Sequence, residues 1–420
     1  MSSSVIQNKT NQLNHSGFGR ILIVASSLDM NYNNDITHGF LRFFKGLGMT
    51  QFDYLRSYTD GGQAGMEQDL TRLITSHGID CIFFFEPCDG FFFRLDYLYN
   101  LSKSAFLVLF MGDCEHYFYE RDAYYAQVAD LVVVYDAYSR YAFQKIGIDA
   151  ISFFSSYDKS VYRALPEVIR DIPVSFVGNL HSNNSRREYL EQLRNAGIQV
   201  QTFGAGSEGG QLSLEEMVQV FNRSKINLSF SRTVECNAFG SELMLTSRAT
   251  QLKGRMMETS LCRSFCLTEN AAGLDEVFEL ESEIGVFDSL DDLLKKVRFF
   301  LENDEERERI ASKAYERAIR DYENSASIPR LLCAIEDKRS KKQDKHLPVR
   351  IDAPFLKNYR SARVIWCVKF LFSKEITLAW NEFRQAIGPF HVYYTLRHLS
   401  EYFKPIRQFK SVWRRFTDVQ

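Results

Sequence analysis

The stretch 251–278, QLKGRMMETSLCRSFCLTENAAGLDEVF, carries more chemistry than a buried helix needs. Lys253 and Arg255 bracket Gly254, and Glu258 follows one turn later. On a helix, Gly254 lies at i−4, Arg255 at i−3 and Cys262 at i+4 of Glu258, all on one face. Leu252, Met256 and Thr259 fall on the other side. Small groups above and below Glu258 leave room for a ligand, and its carboxylate can accept two hydrogen bonds from a diol. The two cations suit phosphate. The plainer reading of the same spacing is an Arg255–Glu258 pair on a helix surface, worth only about 0.3 kcal/mol.

A second constellation is MGDCEHYF, residues 111–118, directly after the apolar run FLVLF. Asp113, Glu115 and His116 there follow a strand end, where the catalytic groups of α/β proteins gather. A carboxylate or imidazole in that place can take the proton of an attacking hydroxyl. The alternative is that Asp113 and His116 cap or pack a loop. Asn33, Asn34 and His38 in DMNYNNDITHG, and EPCDG at 86–90, are weaker candidates for the same neighbourhood. The 8 cysteines form no CxxC pair and do not cluster with histidine, which excludes a zinc-finger pattern and fits a reducing cytoplasm.

These residues need elements to hold them. RILIVA at 20–25, apolar after its Arg20, and CIFFF at 81–85, FLVLF at 106–110 and LVVV at 131–134 are short apolar runs, typical of strands covered on both faces. A second series follows at 174–177, 200–203, 226–230, 265–267 and 285–287. Helical periodicity is expected between those runs, at 186–196, 214–224, 252–261, 290–303 and 304–322. Alternating strands and helices predict parallel sheets with helices on both faces. The expected organisation is a lead-in at 1–18, an N-terminal Rossmann-like domain at 19–165 and a second at 166–335. A charged hinge at 336–350 and a helical, basic and aromatic extension at 351–420 complete it. Two doubly wound domains facing each other across a cleft make a ligand site beyond their strand ends.

In order and spacing, several pieces resemble the two-domain GT-B glycosyltransferases. The nearer likeness is to bacterial spore-maturation and spore-coat-type proteins with a glycosyl-transferase group 1 type C-terminal domain. The pieces are PVSFVGN (173–179), RRE (186–188), FGAG (203–206), LSLEEMVQVFNRSKINLSFS (212–231), LKGRMMETSLCRSFCLTE (252–269) and the acidic helix at 300–323. The resemblance covers about 171–332 in good order and the N-terminal half loosely. It implies transfer of a sugar from a nucleotide-diphosphate donor to a glycan or lipid-linked acceptor, with Glu258 holding the ribose diol. Lys253 and Arg255 would then meet the diphosphate, an electrostatic form of catalysis. Gly178 and Asn179 supply a turn after the VSFV run, with Arg187 at the next helix start; the plainer reading is a turn glycine and solvated arginines. Gly204 and Ser231 lie at further strand ends, and the loop through Thr268, Glu269, Asn270 and Ala271 can present backbone N–H groups to a phosphate. The N-terminal domain would hold the acceptor, with Asp113, Glu115 or His116 as base. Many retaining relatives carry a glutamate eight positions before Glu258; Thr250 stands there, so the resemblance implies neither the sugar nor the stereochemistry. With no Asp-x-Asp element to hold a metal on a diphosphate, no metal and no cofactor beyond the donor are expected. A catalytically silent GT-B scaffold and a sugar-nucleotide epimerase are the rival readings.

The net charge of −2 hides an asymmetry: from Lys338 onward there are 18 Lys and Arg against 6 Asp and Glu. All three tryptophans lie in that part, among Phe, Tyr and basic residues. This texture suits an anionic membrane interface. Helices packed on the N-terminal domain, or self-association, are the alternatives. Nothing else in the chain reads bases, so no nucleic acid is expected. The polar start MSSSVIQNKTNQLNHSG has no signal-peptide core, and no apolar run is long enough to span a bilayer, which leads us to expect a cytoplasmic protein, peripheral on the membrane at most.

Overall fold

The computed structural model describes residues 20–26, 35–46, 49–112, 114, 117–154, 157–180, 184–232, 250–342, 349–393, 395–396 and 399. Its first half builds a parallel sheet from β1 (Ile21–Ala25), β2 (Thr50–Asp53), β3 (Cys81–Phe85), β4 (Phe106–Met111), β5 (Leu131–Val134) and β6 (Ala150–Ser152), in the order β2-β1-β3-β4-β5-β6. Every residue of β1, β3, β4 and β5 is buried, as their apolar runs require. The two edge strands escaped the sequence reading. TQFD and AIS are short, half-buried on one or both faces and without a β-branched run. Helices α1 (Asp35–Gly46), α2 (Tyr54–His77), α3 (Leu95–Ser102), α4 (Ala123–Ala126) and α5 (Ala137–Lys145) cover the sheet. The α2 helix starts where the Asp53 carboxylate accepts from the Arg56 N–H at 3.0 Å, and it ends at left-handed Gly78.

The second half repeats the plan. Strands β7 (Ile172–Val177), β8 (Val200–Phe203), β9 (Ser224–Ser229), β10 (Cys266–Glu269) and β11 (Gly285–Phe287) form a parallel sheet in the order β11-β10-β9-β7-β8. Helices α6 (Asn184–Asn195), α7 (Leu214–Arg223), α8 (Arg255–Leu261), α9 (Leu274–Val277), α10 (Leu290–Glu302) and α11 (Asp304–Arg317) surround it. A reciprocal Ser213–Glu216 capping box starts α7. Apolar clusters fill both faces of each sheet, so both domains are doubly wound, as expected.

After α11 the chain returns to the first domain. Helix α12 (Asn324–Arg339) lays Ile328, Leu331, Leu332 and Ile335 against the β1–β3 face that also carries Phe40 and Phe44 of α1. Part of the stretch read as a solvated charged hinge is therefore anchored. Lys338 pairs with Asp149 at 2.7 Å and Arg339 with Asp80 at 2.6 Å, while Lys342 donates to the Ser102 and Ala105 carbonyls. The charges sit opposite acidic groups and helix-end carbonyls of the N-terminal domain, which the linear sequence does not reveal.

Two further helices, α13 (Ala353–Phe372) and α14 (Ile376–Ala386), pack on the opposite face of the same domain. Asp352 caps α13, accepting from Phe355 N–H and from the Tyr124 hydroxyl at 2.8 Å. Phe355, Phe370, Leu378 and Ala379 join the core around Phe91, Phe92 and Tyr125, and Trp366 lies 5.0 Å from Phe92. For this part of the basic tail, packing on the body is the arrangement found. Arg363 is fully buried, donates to the Gly90 carbonyl and lies 3.0 Å from Glu382 of α14.

Candidate active site

All five strands of the second sheet point the same way, so their C-terminal ends share one edge. The chain goes from β7 outward to β8 and then back across to β9, which makes the β7–β9 boundary the topological switch point. Gly178 and Asn179 follow β7 there, and Ser231 and Arg232 follow β9. Arg186, near the start of α6, spans the gap: its guanidinium donates to the Asn179 and Arg232 carbonyls, each at 3.2 Å. Arg187 donates to the Leu180 carbonyl at 2.6 Å and so holds the same turn. Gly204 is demanded by geometry. Its φ is +105°, and a Cβ on it would come within 2.4 Å of the Gly178 carbonyl oxygen.

Glu269 at the end of β10 is the hub of this edge. Its carboxylate accepts from the Ser231 and Arg232 backbone N–H groups at 3.1 and 3.2 Å and from the Arg232 guanidinium at 2.8 Å. Ser231 also donates to the Asn270 carbonyl at 2.8 Å, and the Asn270 amide donates to Asp288 after β11 at 2.9 Å. Buried Thr268 turns its hydroxyl to the Glu269 carbonyl, and Ala271 is buried in the apolar cluster of this domain. Glu269, Ser231 and Asn270 thus shape the rim and the backbone groups it offers. Arg232 was not singled out from the sequence. Its position directly after a buried strand was the available signal, since SRT follows INLSF without an intervening turn.

The α8 segment lies beside this rim. Thr250 bridges to Arg232, and Gln251 N–H donates to the Ser231 carbonyl at 2.9 Å, so the chain departs and returns at the end of β9. Met256, Met257 and Leu261 are buried, leaving Lys253, Gly254, Arg255 and Glu258 half-buried, as the periodicity predicted. Two details differ from the expectation. A Cβ on Gly254 would meet the Tyr157 hydroxyl at 2.6 Å, so the linker's Tyr157 fills the space read as ligand access; Glu258 Oε1 is 3.4 Å from the same point. Arg255 is turned toward α7. It pairs with Glu258, touches Met217 Sδ at 3.1 Å and lies 4.9 Å from the Phe221 ring. The Arg255–Glu258 pair of the plainer reading is therefore present, and Lys253 donates to Gln251. Packing against two α7 side chains, which the local spacing does not encode, sets the direction of Arg255.

On the N-terminal side Asp113, Glu115 and His116 lie outside the described residues, as do Asn33, Asn34 and the side chain of His38. The ends of their segment are held firmly. Glu86, after β3, has φ +45° and accepts from the Gly112 N–H at 2.8 Å, so it fixes the exit of β4. The two domains meet where Ala137, at the start of α5, abuts Gly273 and where Arg140 pairs bidentately with Glu276 at 2.9 and 3.1 Å. The β5 end of one sheet thereby faces the β10 end of the other. Among the described residues no group of three His, Cys, Asp or Glu is placed to hold a metal ion.

The sequence profile of the glycosyl transferase-like family matches residues 186–332, the half that carries this rim. No curated protein matches the chain. Among solved structures, sucrose-phosphate synthase from Thermosynechococcus elongatus superposes with a TM-score of 0.53 at 9% identity, over 77% of this chain and 99% of that one. Anabaena HepE in complex with UDP-glucose does so at 0.53 and 13% identity, with the same shares covered. A glycosyltransferase from Rickettsia africae gives 0.51 at 12% identity, again over 77% and 99%. The fold is the GT-B fold: two doubly wound domains with their strand ends facing.

Proposed function

We propose that the chain is a glycosyltransferase that moves a sugar from a nucleotide-diphosphate donor to a glycan or lipid-linked acceptor. The observation that carries this reading is the coincidence of the family match at 186–332 with a strand-end rim built at a topological switch point. In this reading the diphosphate lies over the Gly178–Asn179 turn, beside the Ser231–Arg232 turn, whose N–H groups and guanidinium stay with Glu269 and fix the rim. Glu258 exchanges its bond to Arg255 for the ribose diol, which frees Arg255 to stabilise the departing nucleotide, and Lys253 joins it by leaving Gln251. The protein groups do this without a metal. Asp113, Glu115 or His116 takes the acceptor proton. The spore-maturation type likeness, cytoplasmic location and a role in envelope polysaccharide or glycoconjugate synthesis belong to the same proposal. HepE binding UDP-glucose makes uridine donors the first to try.

Calorimetry with UDP and transfer or hydrolysis assays across UDP-, GDP-, ADP- and CMP-sugars test it. Glu258→Ala should weaken nucleotide binding by about 10- to 100-fold, the worth of charge-assisted hydrogen bonds to a diol, while the thermal midpoint stays near wild type. Unchanged affinity in the variant would remove Glu258 from the donor site. No nucleotide binding by the wild type would remove the transferase reading altogether.

A further inference from the structure

Helix α14 is two-faced in an unusual way. Leu378, Ala379, Glu382 and Ala386 are buried against the N-terminal domain. On the other side Ile376, Trp380, Phe383 and the following Ile387 recur at i, i+4, i+7 and i+11, one continuous helical stripe. They are 50–67% exposed, and Trp380 and Phe383 stack on each other at 5.6 Å. Leu371 and Phe372, at the end of α13, are 50% and 62% exposed and extend the stripe around the corner. Other exposed large hydrophobics among the described residues form shorter sets, such as Tyr138 and Tyr141 on α5 and Val392, Tyr393 and Leu396 beyond α14.

One edge of the stripe borders a polar cleft of about 440 Å³ between α2 and α14, lined by Gln63, Glu67, Arg94, Asn381, Arg384 and Gln385. Arg94 is neutralised there by buried Glu67, at 2.7 Å. Arg94 also lies 3.5 Å from Asp96, so the cation the cleft leaves open is Arg384, which is exposed and makes no ion pair among the described residues. Lys374, at the corner between the helices, is likewise exposed.

We propose that this surface docks the protein on an anionic lipid bilayer. The α14 stripe lies in the headgroup–acyl boundary, and a lipid phosphate sits in the cleft against Arg384. The helix has 11 residues, about 16 Å of rise, so it lies in the interface and does not cross it. Charge selects this occupant over a second copy of the chain. On α13, α14 and the corner between them, the charges left at least partly exposed are Lys357, Arg360, Lys369, Lys374 and Arg384 against Glu375 alone, and a symmetric contact would set two such surfaces against each other. The docking surface is rigidly tied to the acceptor side: α13 clamps the Gly90 carbonyl through Arg363 and the Glu120 carbonyl through Asn358 at 3.0 Å, in the segments that follow β3 and β4. The inference deepens the proposed function, and rests on it only in giving the bilayer a purpose, the delivery of a lipid-linked acceptor.

Co-sedimentation of the full-length protein with phosphatidylcholine vesicles, with and without phosphatidylglycerol, tests it. Wild type should pellet with the anionic vesicles, and the Trp380→Ser/Phe383→Ser variant should bind them at least about tenfold more weakly, as loss of two interfacial aromatics predicts. Ile376→Ser/Ile387→Ser, on the same stripe, should act alike, and Arg384→Glu should reduce the preference for anionic lipid. All five sites are exposed, so circular dichroism and thermal midpoints should stay at wild-type values. Wild-type binding by both stripe variants would overturn the proposal, as would a wild type that pellets with neither vesicle. A wild-type dimer that Trp380→Ser/Phe383→Ser converts to monomer would assign the stripe to a second copy instead. UDP calorimetry without vesicles reads the donor site separately: its failure with vesicle binding intact sinks the transferase reading and leaves the docking surface standing.

Discussion

Glu258 and Glu269 show how differently two carboxylates on one rim are used. Glu269 is saturated by four donors from Ser231 and Arg232 and acts as a fastener. Glu258 holds one guanidinium from its own helix, an i,i+3 pair whose side chains are only 19% and 13% exposed, so its exchange has to be offset by the ligand's own charge-assisted bonds. The loss predicted for Glu258→Ala is a loss of nucleotide affinity, measured on protein that circular dichroism shows folded. A second prediction at this scale concerns Lys369. Its amine sits 4.4 Å from the Trp366 ring, and burial pushes its pKa down to about 8 from the usual 10.5. The unfolded chain keeps its proton up to the higher value while the folded chain loses it from about 8 upward. Stability should thus rise with pH from about 8 toward 10.5, and below 8 the penalty is constant. Urea titrations at pH 7 and pH 9 check this, with Lys369→Met expected to remove that contribution to the slope and to be the more stable of the two at pH 7.

Among the elements, α13 and α14 fall in the helical extension expected at 351–420 and take the alternative that packs it on the N-terminal domain. Their contact rests on apolar side chains, each worth about 1.5–3 kcal/mol when fully buried, and on the Arg363–Glu382 pair at their centre. Arg363 has no exposed surface and Glu382 has 1%. Arg363→Met leaves the Glu382 carboxylate buried without its guanidinium and should cost about 3–5 kcal/mol in urea unfolding. The double variant Arg363→Met/Glu382→Leu should recover most of that loss, because an apolar pair needs no compensating charge. Recovery of nothing would mean that the Gly90 and Tyr58 contacts of Arg363, and not the ion pair, hold the helices.

For the whole molecule, the chain after the second domain is what makes the first one complete. Helix α12 covers one face of the β1–β6 sheet, and α13 and α14 cover residues 91–93 and Tyr125 on the other. Deleting residues 351–420 should do more than abolish vesicle binding. It uncovers Phe91, Phe92 and Tyr125 together, and the product should aggregate or bind a hydrophobic dye at concentrations where the full chain is monodisperse. Solution scattering and dye fluorescence distinguish that from a clean loss of a dispensable tail.

The apolar runs CIFFF, FLVLF and LVVV determined the parallel strands by themselves, because a strand buried on both faces is nearly continuously apolar. The spacing of Leu252, Met256 and Thr259 likewise placed one buried side of α8, and Gly254, Arg255 and Glu258 stay half-open as expected, whereas Cys262 of the same predicted face is buried. Edge strands β2 and β6 carried no such signature, since half-solvated backbone tolerates TQFD and AIS. Only the tertiary structure decided that Tyr157 fills the space beside Gly254, that Met217 and Phe221 draw Arg255 aside, and that Glu269 is a fastener rather than a free carboxylate. It also decided that a chain segment with the composition of a membrane anchor divides its aromatic residues between a core and an outward stripe. Periodicity ranks the faces of one helix, but the partner of each face comes from residues hundreds of positions away, as with Arg363 and Tyr58.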